Sequence, residues 1–74
     1  MFTALSSREI QALKLVVKGL SNKRIEAAME IAKATVKSHL TSILQKMGVD
    51  DRTEAAISAV QRGIVKLEWP ALHP

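Results

Sequence analysis

Three glycines, Gly19, Gly48 and Gly63, divide this chain, and each closes a stretch in which apolar residues recur at helical spacing. Glycine is the preferred residue just past a helix C-terminus, because it adopts a left-handed backbone without steric cost. No proline occurs before Pro70. This punctuation predicts an all-α fold of four helices, over about residues 7–18, 22–29, 33–47 and 52–62, with short connections between them.

The helix starts carry their own signals. Ser6-Ser7-Arg8-Glu9 fits a capping box, with Glu9 reaching back to the cap, and Leu5 with Ile10 fits a hydrophobic staple. Ile10, Leu13, Val16, Val17 and Leu20 form one apolar stripe on the first helix. Ser21 is a natural cap for the short second helix, whose buried face is expected at Ile25, Ala28 and Met29. Glu30-Ile31-Ala32 then leads into the third helix. Two short helices joined by such a turn make a helix-turn-helix unit. Asp51-Arg52-Thr53-Glu54 again matches a capping box, at the start of the fourth helix.

At 74 residues the chain is one domain. A domain this small buries only about 60% of the surface that its unfolded chain exposes. It contains no cysteine, and His39 and His73 lie far apart, so neither a disulfide nor a metal site is expected. No apolar run approaches membrane-spanning length, and Met1 to Leu5 is too short for a signal peptide. A reduced, cytoplasmic setting is the expectation. Phe2 and Trp69 are the only aromatics, which argues against single-strand binding by base stacking. No paired carboxylates, Ser/His/Asp set or phosphate-cradling glycine loop is present, so no enzyme activity, cofactor or small-molecule ligand is expected.

The net charge is +4. Between Lys18 and Lys46 stand six basic residues (Lys18, Lys23, Arg24, Lys33, Lys37, Lys46) against two acidic ones, Glu26 and Glu30. Such a segment suits a polyanion, although a solvated surface would show the same charges. The third helix is more specific. Val36, Leu40, Ile43, Leu44 and Met47 lie on one face. The opposite face carries Ala34, Ser38, Thr41, Ser42 and Gln45, with Lys37 on one shoulder and His39 and Lys46 on the other. Short hydrogen-bonding side chains flanked by cations allow close approach to a DNA groove.

The fourth helix has two apolar faces. Ala56, Ile57, Val60 and Ile64 make one, and the small residues Ala55 and Ala59 make the other. One face is expected to pack on the domain and the small-residue face to meet a partner helix. The alternative is a core that surrounds the helix and takes both. The domain is expected to span residues 1–66, with a tail at 67–74 in which Trp69 covers the core or stays disordered.

Five blocks, Leu5-Ser6-Ser7-Arg8-Glu9, Gly19-Leu20-Ser21-Asn22-Lys23, Thr35-Val36-Lys37-Ser38-His39, Lys46-Met47-Gly48-Val49 and Arg52-Thr53-Glu54-Ala55, together resemble the LuxR/NarL-type helix-turn-helix domain. That is the C-terminal output domain of bacterial response regulators and quorum-sensing regulators. The resemblance covers about residues 4 to 66. It implies a transcription regulator that binds double-stranded DNA with helix 33–47 in the major groove and forms a homodimer through helix 52–62. The implied base-reading residues are Lys37, Ser38 and Thr41. The implied backbone contacts are Asn22, Lys23, Lys33, Thr35, His39 and Lys46, and the dimer residues Ala55, Ser58, Ala59 and Arg62. His39 has a second reading, as a packing and hydrogen-bonding residue at the angle between helices two and three.

Two departures from the family pattern stand out. Glu26 occupies a position usually held by alanine, where an unpaired buried carboxylate would be costly. Either it extends outward or it pairs with Lys23, Arg24 or Lys33. Ala32 stands where a serine usually caps the third helix, a loss of about 1 kcal/mol. The first turn of that helix is therefore expected to order on DNA phosphate. Two other functions fit the same residues. One is an interaction module that pairs with a related regulator without reading DNA. The other is a promoter-contacting piece that acts only within RNA polymerase.

Overall fold

The computed structural model describes residues 4–66. Four helices fill that span: α1 (Ser7–Val17), α2 (Asn22–Met29), α3 (Lys33–Met47) and α4 (Arg52–Gln61). The expected boundaries hold, except that α1 and α4 each end one residue earlier. The expected tail at 67–74, with Trp69 and His73, lies outside the described residues.

Side chains start three of the helices. Ser6 Oγ accepts from Glu9 N at 3.1 Å while Glu9 Oε1 accepts from Ser6 N at 2.8 Å, a complete capping box. Ser21 Oγ accepts from Arg24 N. Asp51 Oδ1 accepts from Glu54 N at 2.8 Å, but the Glu54 carboxylate reaches one residue further back than expected, to Asp50 N at 2.7 Å. Ala32 starts α3 with no side-chain cap.

All four helices stop in the same way. The amides of Leu20, Ile31, Val49 and Ile64 donate to the carbonyls of Leu15, Glu26, Leu44 and Ala59, each five residues back. This is the closing bond of a Schellman turn, and it requires a left-handed residue just before the donor. Gly19, Gly48 and Gly63 supply it at three ends; Glu30, at φ 55°, supplies it at the end of α2. Each donor is an apolar residue that folds back, partly buried, onto the core.

α1 packs on α2, α3 and α4, and α2 and α4 both pack on α3. Leu13, Ile25, Val36 and Ile43 are the largest fully buried side chains. Burial of each is worth about 1.5–3 kcal/mol relative to exposure. Leu40 and Leu44 are half-buried and pack against that core. Ala28, expected inside, is exposed. Ala55 and Ala59, expected at a dimer interface, are 1% and 0% exposed and belong to the core. Small side chains do permit close helix approach, but here that approach is made within the domain. The face turned outward carries Ile57, which is 54% exposed.

Glu9 ties α1 to α3. The residue is 6% exposed. Besides Ser6 N it accepts from Ser42 Oγ at 2.5 Å and from Lys46 Nζ at 2.8 Å. The Lys46 ammonium and then the Ser42 hydroxyl, helped by the Ser6 amide and opposed by burial, lower the Glu9 pKa from 4.5 to about 2.

Two outcomes follow for stability. A left-handed backbone costs a residue with a Cβ about 1–2 kcal/mol, part of which glycine returns as unfolded-state entropy. Glu30→Gly is therefore expected to raise unfolding free energy by about 0.5–1 kcal/mol in urea denaturation. Glu9 has a folded pKa below its unfolded value. Its stabilisation is complete above pH 4.5 and is lost as pH falls toward about 2. Acid titration of the fold should show a loss in that window that is absent in Glu9→Gln, and an identical acid profile for the two proteins would refute the assignment.

Candidate nucleic-acid interface

α3 reaches the surface because its core face is narrow. Val36, Ile43 and Met47 are buried, whereas Ala34, Lys37, Ser38, Thr41 and Gln45 on the other side are exposed. Lys33 and Thr35 are exposed in the first turn, and His39 is half-buried. α3 contains three lysines and no carboxylate. Two of them, Lys33 and Lys37, lie toward its N-terminus, where the helix dipole disfavours cations.

Two residues expected on this surface are withdrawn from it. Ser42 turns inward to Glu9. Lys46, expected to touch DNA backbone, has its ammonium in the ion pair with Glu9 and is 30% exposed. The ammonium is thereby committed to holding α3 on α1. The outward face thus shrinks to Ala34, Lys37, Ser38, Thr41 and Gln45, all short except for one lysine and one glutamine.

α2 packs on α3 and brings its own N-terminus to the edge of the unit. Lys23 there is exposed, and Asn22 is half-buried. Glu26 is half-buried, and among the described residues no ion pair within 4.0 Å engages it, so of its two expected arrangements the pairing with Lys23, Arg24 or Lys33 is not formed.

Arg52 was missed by sequence reasoning. Its Nη1 donates to Asn22 Oδ1, and its Nη2 donates to Leu20 O at 2.8 Å. It joins the first turn of α4 to the connection between α1 and α2. One signal was available: a cation at the first residue of a helix opposes the helix dipole, so something else must hold it there. On the outer part of α4, Ser58 is half-buried, and Arg62 is exposed with its guanidinium donating to Met47 O at 3.3 Å.

A groove of about 450 Å³ opens between Lys14, Val17 and Lys18 on one side and Gly63 to Lys66 on the other; its lining includes no residue of α3. Among the described residues, no helix is long and apolar enough to cross a membrane.

Comparison with known proteins agrees with this geometry. The family described as bacterial regulatory proteins, luxR family, matches residues 3–59. The chain is 44% identical over 63 residues to the transcriptional regulatory protein DegU of Brevibacillus brevis, covering 85% of this chain and 27% of that protein. Among solved structures, the response regulator ChrA of a heme-sensing two-component system matches with a TM-score of 0.80 and 45% identity, over 86% of this chain and 32% of that one. The transcription factor GerE matches with a TM-score of 0.79 and 30% identity, over 89% of this chain and 100% of that one. The chain therefore spans about a third or less of DegU and ChrA, and the whole of GerE. With four helices, a helix-turn-helix unit at α2 and α3, and these matches, the chain belongs to the luxR family of bacterial regulatory proteins.

Proposed function

We propose that this domain binds double-stranded DNA in a sequence-specific manner, as the DNA-reading part of a transcription regulator. The observation that carries this reading is the outward face of α3, exposed and mostly short-sided, with Lys37 on it, Lys33 exposed in the first turn and no carboxylate. Lys37 donates to guanine O6 and N7, and Ser38 and Thr41 read neighbouring base edges directly or through water. Asn22, Lys23, Lys33, Thr35 and His39 contact backbone phosphates and set the register. Lys46 acts through Glu9, by fixing how α3 lies.

The domain pairs with a second copy through the outer face of α4. Ile57 carries that step, as the large apolar side chain left exposed among the described residues, with Ser58 half-buried next to it in sequence and Arg62 exposed at the end of the helix. The same exposed residue favours the second reading, an interaction module that pairs with a related regulator.

Direct DNA binding should weaken with salt at a log–log slope of about 0.9 per phosphate contacted. Lys37→Ala should cost about 1–3 kcal/mol on the specific site and relax preference at one base pair. Equal weakening on random and specific duplexes would remove Lys37 from base reading, and no salt slope at all would favour the interaction module. Ile57→Ser should leave the helical circular dichroism unchanged and reduce the bound species from two protomers per duplex to one in sedimentation. Unchanged stoichiometry would place the dimer contact elsewhere.

A further inference from the structure

We propose that Arg52 is a positioning residue for DNA binding, holding the Asn22 side-chain amide so that its amino end faces a backbone phosphate. This rests on the DNA-binding reading above and adds to it a residue outside the helix-turn-helix unit.

The chemistry of the contact fixes the amide's orientation. A guanidinium only donates, so the Asn22 atom facing Arg52 must be the carbonyl oxygen. The amino group then lies at the other end of the planar amide, where it finds no acceptor within the protein among the described residues. An amide donor with its acceptor end already occupied, at the first residue of α2 and next to exposed Lys23, is suited to a phosphate oxygen. Without Arg52 the amide would rotate and offer either end.

The second bond of Arg52, to Leu20 O at 2.8 Å, fixes the connection on which Asn22 stands. Leu20 precedes Ser21, whose hydroxyl caps α2. One planar fork thus orients a side chain and steadies the backbone beneath it. Lysine carries the charge but not the fork, so Arg52→Lys separates geometry from electrostatics.

The test uses this chain, in the free state and on a duplex selected by the wild-type protein from random sequence. In the free protein, nitrogen relaxation should show the Asn22 side-chain amide ordered, and in Arg52→Lys as mobile as the exposed Gln45 amide. On the duplex, Asn22→Ala and Arg52→Lys should each weaken binding on the order of tenfold. The double variant should be no more than about twofold weaker than Asn22→Ala alone, because the two residues act through one contact. Arg52→Ala, with its folded fraction checked by circular dichroism, should repeat that pattern. Equal losses in both backgrounds would mean that Arg52 touches DNA itself or only supports the fold, and would overturn the proposal. So would an Asn22 amide as mobile in the wild type as in Arg52→Lys. A wild-type protein that binds no duplex at any salt concentration would instead overturn the DNA-binding reading, and the positioning role with it; the order of the free amide still reports separately on the clamp.

Discussion

The Glu9 carboxylate collects three donors that have no other reason to meet: the amide of its own helix cap, and a hydroxyl and an ammonium one turn apart on α3. Hydrophobic burial alone would hold α3 against α1 in several slightly rotated positions, since it is not directional. A buried carboxylate is less tolerant. Its desolvation is offset only when its lone pairs are filled with good geometry. Ser42 and Lys46 must therefore point at α1, and their doing so leaves Lys37 and Thr41 turned away from it. The polar contact sets the rotation of the helix, and the apolar contacts supply most of the energy.

Much of this architecture can be read from the sequence, because helix starts and stops are local events. Ser6, Ser21 and Asp51 act within three residues, and a glycine past each of three helices acts within six. The fourth stop lacked its usual residue, so Glu30 could be placed in a turn but its backbone could not be specified. Long-range partners leave no such trace. The role of Glu9 as a cap was evident from Ser6-Ser7-Arg8-Glu9, but its partners on α3 lie 33 and 37 residues away. For the same reason Ser42 and Lys46 were assigned to the surface. Arg52 and Asn22, 30 residues apart, escaped for that reason too.

α4 shows a different limit. Its ten residues carry two apolar stripes, and periodicity identifies both without saying which faces inward. Side-chain bulk suggests that Ile57 should be buried and Ala55 left out. The space available decided otherwise: α4 lies against α1 and α3 at a separation that alanine fills. In a domain this small the distance between helices selects the residue, and the larger side chain is displaced to the surface.

The turn between α2 and α3 carries one more consequence. Three of the four helix ends rest on glycine, whose left-handed basin is wide. Glu30 occupies the same region with a Cβ, which narrows it to roughly φ +50 to +70° and ψ +30 to +60°. Glu30 sits inside that window, at φ 55° and ψ 47°. A narrow torsional well is a stiff spring. The joint that sets the pitch of α3 against α2 thus has a narrower torsional range at Glu30 than glycine would allow it, even though the helix beyond it begins without a cap. Strain at one residue trades a little stability for angular precision in the element that faces outward.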